Sequence, residues 1–297
     1  MNYISAKFLG IVSALTAVTI WALFLLGTRW GVSGNFSVEE ILLLRLFSAA
    51  LITTPLMLKH GVLLRGQSLI GTFMLTLGSS AVFPYFVSLG LSFASASDAG
   101  ALAPGMLPFW TALFSWLILG ELISRIRLVG LAIILFGATL VGVWQIVGNA
   151  EPDVWKGHLL FLLGAGLFSI YTVYFRKSGL SPVRGLVIGL FWGTLVFVPI
   201  LILSGNVSFY SVSAYQIFNM SILQGVLNAV LALLLYSTAI RSIGAAEAGA
   251  FGALTPILAL LGGVVFLGET FTIVASFGVV LVALGVVMAS GVFDKQY

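Results

Sequence analysis

The side chains able to do chemistry in this sequence are few, and their types favour recognition over bond breaking. Trp21, Ser79, Tyr85, Trp110, Phe168, Tyr171 and Asn228 all fall inside long apolar runs. Aromatic faces with polar edges can hold an apolar or aromatic group and still offer a hydrogen bond. Trp21 lies fourteen residues beyond Lys7, about 21 Å along a helix axis, which is deeper than an interfacial belt residue. Asn228 and Gln224 are four apart on one helical face, and an amide in an apolar surround needs a partner. That partner is either a bound solute or a neighbouring helix. For the aromatics the alternative is plain packing, because 13% of the chain is aromatic. Met106 likewise reads as packing, with a pliable cavity wall as its alternative. Arg45 is the one cation clearly inside an apolar run. It would either meet a substrate carboxylate or be satisfied by a buried structural partner, and the structural role is preferred.

Catalytic patterns are missing. His60 and His158 sit at the edges of apolar runs and read as boundary residues, with no H-E-x-x-H metal helix and no G-x-S-x-G nucleophile elbow. The chain has no cysteine, which removes disulfide and thiolate chemistry, and it has no phosphate-loop sequence. No enzyme activity, metal or cofactor is therefore expected.

The elements that must position these residues follow from composition. Hydrophobic residues make up 60% of 297 and charged residues 7%, with a mean hydropathy of +1.18, against about 25% charged in soluble domains. The partner of such a surface is the lipid bilayer. Backbone groups in lipid must be satisfied within each segment, and apolar runs of about 20 residues fit helices. Ten runs are expected, roughly 8–27, 38–58, 68–90, 98–119, 126–145, 157–175, 183–203, 215–240, 246–267 and 271–291. The first is read as a retained span, since its apolar core is too long for a signal peptide and no small-residue cleavage pattern follows. With a cytoplasmic N-terminus, ten of the thirteen Lys and Arg fall inside, among them Lys59, Arg127, Arg176, Arg241 and Lys295. Arg29 and Lys156 fall outside. This bias predicts both termini cytoplasmic. The net charge of +4 reports that topology and not a nucleic-acid partner.

The chain contains one stretch twice. Pro108, Leu119-Gly120-Glu121, Ser124, Gly130 and Gly137 recur 148 positions later as Pro256, Leu267-Gly268-Glu269, Thr272, Gly278 and Gly285. Gly10, Trp21 and Arg29 pair with Gly157, Phe168 and Arg176 at a spacing of 147, and Asp98 to Ala101 pairs with Glu247 to Ala250 at 149. Ser79 and Asn228 are mates by the same rule. Five spans per half force the second copy to be inverted. The fold class expected is an all-α integral membrane protein of ten transmembrane helices, arranged as two inverted five-helix repeats around a central cavity. The repeats cover residues 1–147 and 157–297, with an external linker over 148–156. Inverted repeats mark secondary transporters, whose halves exchange conformations around a midplane site.

Pro104 and Pro108 interrupt the fourth run, and Gly252 and Pro256 the ninth. Proline removes a helix hydrogen bond, so kinks are expected, one toward the outside and one toward the cytoplasm. They serve either as paired hinges or simply to shape packing. Glu121 and Glu269 read as helix-end residues suited to the positive end of the following helix, which Ser124 and Thr272 would cap, with proton coupling as the alternative. Asp98 and Glu247 read as capping residues at equivalent helix starts. Gly130, Gly137, Gly278 and Gly285 read as surfaces of close helix approach.

Ten spans, two proline-bearing helices ending in Leu-Gly-Glu and two glycine-rich helices after them resemble the drug/metabolite transporter superfamily, in its EamA-type branch. Trp21, Pro84-Tyr85 and the overall length are similar to the YddG-type exporters of aromatic and other amino acids. The resemblance implies a bacterial inner-membrane exporter of small metabolites, with a cavity lined by the first, third and fourth helices and their mates. Phosphorylated solutes call for several cavity cations, and only Arg45 is offered. The acid that marks short four-helix cation pumps is missing from residues 8–27. A neutral or zwitterionic solute, foremost an amino acid, is the expected substrate. Nothing calls for an obligate protein partner, so a monomer suffices. An exporter of other metabolites or drugs within the same superfamily is the alternative, and a passive channel or scaffold is the rival class.

Overall fold

The computed structural model describes residues 3–34, 36–147, 153–270 and 272–294. Among these no strand occurs, and nine helices are long and apolar enough to cross a membrane. A tenth apolar helix, Ile273–Ala289, is shorter. In chain order the spans are Tyr3–Ser33 (span 1), Val38–His60 (span 2), Leu69–Leu91 (span 3), Ala96–Leu119 (span 4) and Arg125–Val147 (span 5). The second half supplies Val154–Ser178 (span 6), Pro182–Leu203 (span 7), Ala214–Ile243 (span 8), residues 245–267 (span 9) and Ile273–Ala289 (span 10). Span 6 begins before residue 157, so Lys156 belongs to its first turn rather than to a linker. Glu151 and Pro152 of that linker, Phe271 and Lys295 lie outside the described residues.

Helix ends follow local chemistry. Ser37, Ser68, Ser95, Ser181 and Ser213 each accept a hydrogen bond from an amide in the first turn of spans 2, 3, 4, 7 and 8, which satisfies a donor the helix cannot. Glu40 completes a capping box with Ser37 and also accepts from the Ser208 and Phe209 amides, at 3.0 and 2.6 Å, fixing the connection after span 7 to span 2. The repeated Leu-Gly-Glu has a backbone cause. Gly120 and Gly268 close spans 4 and 9 in the left-handed region, at φ +69° and +65°, where a side chain is strained.

Spans 5 and 10 pack along their whole length. A Cβ on Gly137 would lie 2.6 Å from the Gly278 carbonyl oxygen, and one on Gly130 would lie 2.7 Å from the Ala289 amide nitrogen. The four glycines are a close-approach surface, as their spacing predicts. The remaining helices form two groups. Span 1 packs along spans 8 and 9, span 6 packs along spans 3 and 4, and spans 2 and 7 pack on each other and on both groups. We call these the 1–8–9 and 3–4–6 groups. One end of the bundle carries Lys59, Arg127, Arg176 and Arg241 and is the basic end; Arg29 and Glu269 lie at the opposite end.

Both proline helices are broken, at mated places. Span 4 runs Ala96–Leu102, then a 3-10 turn over Pro104–Met106, then Leu107–Leu119, with Ala103 at φ −100°, ψ −83°. Span 9 runs Ala245–Phe251, then Leu254–Leu267, with Gly252 in the break. Leu102 and Phe251, which end the first pieces, are themselves 149 apart.

At the basic end, Ser124 Oγ and Arg127 Nε each donate to the Asp294 carboxylate at 2.6 Å, holding the residues after span 10 against the start of span 5. The Ser124 hydroxyl, then Arg127, hold the Asp294 carboxyl below its ordinary value of 3.8. The contact is therefore fully present above that value and is lost as pH falls through the lower folded one. A carboxyl-carbon NMR titration in micelles is expected to place Asp294 below 3.8, and Ser124→Ala to move it upward; no movement would mean that the hydroxyl contributes nothing.

Candidate functional site

Four of the seven candidate residues meet on the 3–4–6 side. Phe168 of span 6 packs on Phe83 of span 3, ring centroids 4.8 Å apart, and on Tyr171 at 5.5 Å. Tyr171 lies against Gly78 of span 3, the neighbour of Ser79, where a Cβ would stand 2.9 Å from Tyr171 Cβ. Trp110 of span 4 lies across Gly166, where a Cβ would stand 3.9 Å from its ring, and beside it Thr111 donates to Ser169 at 3.2 Å. The Trp110 Nε1 is buried and has no partner among the described residues.

Trp21 stands in the 1–8–9 group. Its ring packs on Tyr236 of span 8 at 4.9 Å. This pair repeats the relation of Phe168 to Phe83, because Trp21 and Phe168 are mates and span 8 is the mate of span 3. Asn228 of span 8 is 9% exposed and makes no side-chain hydrogen bond among the described residues. Tyr85 is not brought to either cluster. It packs instead with Leu42, Leu46, Ala81 and Leu201 of spans 2, 3 and 7.

Ser79 and Asn228 share a feature that residue types do not announce. Each lies in a π-helical segment, Met74–Val82 in span 3 and Ile222–Leu231 in span 8. The two segments are mates at a spacing of 149, apart from one extra residue at the start of the second. Such wide turns cluster at functional sites, since they shift carbonyls out of the ordinary ladder. In span 8 the carbonyls of Ser221 and Gln224 take side-chain donors from span 2: Ser48 Oγ at 3.1 Å and Arg45 Nη1 at 3.2 Å.

Arg45 and Gln224 thereby gain structural partners. The Arg45 guanidinium also stands 5.7 Å from the centre of the Phe24 ring, and Gln224 Nε2 donates to Thr28 Oγ1 at 2.8 Å. Both residues are buried, and together they tie spans 1, 2 and 8.

Two expectations about charged residues are corrected. His158 is not a boundary residue: it is buried, with Nε2 3.2 Å from Asp98 Oδ2, joining span 6 to span 4. Asp98 accordingly does more than meet a helix start, and its own amide is capped by Ser95. Glu121 and Glu269 do not serve the helices that follow them. Glu121 pairs with Arg176 of span 6, at 2.6 and 3.3 Å. Glu269 reaches the start of span 4, accepting from the Ala96 amide at 2.6 Å, the Ser97 amide at 3.2 Å and the Ser97 hydroxyl at 2.9 Å.

The comparison with known families settles what carries this architecture. The EamA-like transporter family matches twice, over residues 8–143 and 155–291, one match for each inverted half. The chain belongs to the EamA-like transporter family. It is thus a multi-pass membrane transporter of the drug/metabolite type, and the two matches coincide with the two five-span halves. A search of curated proteins returned no match. A solved structure described only as "Crystal structure of protein" superposes with a TM-score of 0.64 at 18% identity, covering 99% of this chain and 100% of that one. At that identity the likeness concerns the fold alone. Within this EamA-like transporter, Phe83, Tyr236 and the two wide turns were missed by sequence reasoning. The mates of Phe83 and Tyr236 are Ala232 and Val87, so the duplication does not flag them.

Proposed function

We propose that this transporter is an alternating-access exporter of neutral or zwitterionic metabolites, above all aromatic and other amino acids, as the YddG-type exporters are. The observation that carries this reading is the aromatic contact at each of the mated residues Trp21 and Phe168, Trp21 on Tyr236 and Phe168 on Phe83, one in each helix group. Half-buried rings on two groups that rock against each other can clasp an apolar side chain from both sides. The unpartnered Trp110 N–H, the Asn228 amide and the Tyr171 and Ser79 hydroxyls supply neutral donors and acceptors. The one buried arginine of mid-span, Arg45, is already engaged with a carbonyl and a ring. Such a set suits a solute without net charge better than a phosphate.

The broken spans 4 and 9 act as the paired hinges, at Pro104, Pro108, Gly252 and Pro256. The basic end faces the cytoplasm of a bacterial inner membrane, with both termini there. A monomer without cofactor suffices for the cycle.

Thermal-shift titration of the purified protein tests the substrate class. Phenylalanine and methionine are expected to raise the melting temperature saturably, and a sugar phosphate to leave it unchanged. Trp21→Ala and Phe168→Ala are each expected to weaken the apparent affinity about three- to tenfold, the loss of one aromatic contact of about 0.5–1.5 kcal/mol. A shift with the sugar phosphate alone would overturn the substrate class.

A further inference from the structure

The two halves are related by sequence yet do not make the same contacts, and three of the differences fall at the ends of the bundle. At the opposite end the helix groups are locked together. Gly100 of span 4 lies against span 9, where a Cβ would stand 2.9 Å from Ala259 Cβ and 3.0 Å from Pro256 Cα. Arg29 of span 1 donates to the Leu91 carbonyl of span 3 at 2.6 Å. Glu269, after span 9, takes the Ala96 and Ser97 amides and the Ser97 hydroxyl of span 4. All three contacts join the 1–8–9 group to the 3–4–6 group.

Their mates at the basic end make none of these crossings. Gly249, the mate of Gly100, has only Ser290, just after span 10, within 4 Å of an added Cβ. The start of span 9, the mate of the Ser95-capped start of span 4, has no side-chain cap. Arg176 and Glu121, the mates of Arg29 and Glu269, bind each other instead, inside the 3–4–6 group. Arg29 and Glu269 could do likewise, because spans 1 and 9 are in one group and both residues line the same cavity of about 680 Å³.

We infer that Arg29 with Glu269 and Arg176 with Glu121 are two exchangeable gate pairs. At a closed end, each reaches across to backbone of the other helix group; at an open end, each arginine and glutamate pair with one another. The structure is then closed at the opposite end and open at the basic end. In the reverse state Glu121 takes the start of span 9, Arg176 takes the carbonyl of Ile240, the mate of Leu91, and Arg29 falls back on Glu269. Neither charge is abandoned in either state, since each carboxylate exchanges amide donors for a guanidinium. The exchange is symmetric apart from the Ser97 hydroxyl, whose mate is Ala246, and so keeps the two states close enough in energy for a carrier to visit both. The inference rests on the alternating-access reading above.

Spin-label distances test it, and a chain without cysteine gives no background. One pair, Ser92→Cys with Phe266→Cys, spans the opposite end; the other, Lys177→Cys with Ile240→Cys, spans the basic end. All four positions are exposed. Without solute, the parent is expected to show a short opposite-end and a long basic-end distance. Glu269→Gln is expected to raise the population with a longer opposite-end and a shorter basic-end distance roughly tenfold. Adding Glu121→Gln should reverse that gain, because the second state then loses its own cap. A folded Glu269→Gln protein that keeps the parental distances, or one that loosens at the opposite end with no change at the basic end, would overturn the inference; the latter is what a merely structural cap would give. Counterflow measured on the same samples separates the two levels: distances that exchange without counterflow would sink the carrier reading and leave the gate pairs standing. Counterflow with unmoved distances would do the reverse.

Discussion

Gly137→Ala is expected to destabilise the protein by about 2–3 kcal/mol, although alanine is the better helix former. The added Cβ would stand 2.6 Å from the Gly278 carbonyl oxygen and 2.9 Å from the Val282 nitrogen. Both are backbone atoms of span 10 and cannot rotate away, so spans 5 and 10 must separate and lose contacts along their seam. Gly142 lies on the same span, and there a Cβ would meet nothing closer than His158 Nδ1 at 3.9 Å. Gly142→Ala should therefore be neutral or slightly stabilising. Scanning fluorimetry in detergent checks the contrast: a clear drop in melting temperature for Gly137→Ala beside none for Gly142→Ala. Equal behaviour of the two would mean that the glycine seam does not hold spans 5 and 10 together.

Arg45→Ala is expected to cost about 2–5 kcal/mol, and Arg45→Met much less. Three effects compete. Removing the guanidinium relieves the burial of a charge, which favours either variant. Both variants leave the Gln224 carbonyl, in the wide turn of span 8, without its 3.2 Å side-chain donor, at about 1–3 kcal/mol. Alanine alone also leaves a void between spans 1, 2 and 8, and voids of that kind bring the total for long side chains to about 2–5 kcal/mol. Methionine fills the space, so relief and loss nearly offset. Unfolding in denaturant, read as the difference between the two variants, checks this. Equal losses for Ala and Met would show that the charge itself holds the junction, through the Phe24 ring.

Much of the architecture was legible because glycine, proline and charge leave marks that survive inside apolar sequence. Gly137 and Gly278 gave the seam, Pro104 and Pro256 the broken spans, and the 148-residue spacing gave the duplication. The wide turns were not legible, since a change of hydrogen-bond register needs no particular residue; the side chains that donate to carbonyls at the one in span 8, Arg45 and Ser48, stand on a helix far away in the chain. The partner of Glu269 was hidden for the same reason. Its donors are Ala96 and Ser97, 173 and 172 residues earlier, and two of the three are backbone amides that any residue carries. His158 looked like a boundary residue because it follows Lys156 at the start of an apolar run; only the packing of span 6 on span 4 puts Asp98 beside it. Of the candidate site, the Trp21 and Phe168 match pointed to mated positions, while their ring partners Tyr236 and Phe83 lack aromatic mates and stayed unmarked.

Counterflow in proteoliposomes tests most directly the claim that this EamA-like transporter is a carrier of neutral amino acids. Vesicles loaded with unlabelled phenylalanine, methionine or threonine and diluted into a trace of the labelled form should accumulate label transiently and saturably, and Trp21→Ala should weaken that accumulation at unchanged protein level. Label that only equilibrates, with no overshoot for any neutral amino acid while the reconstituted protein is folded, would contradict the claim.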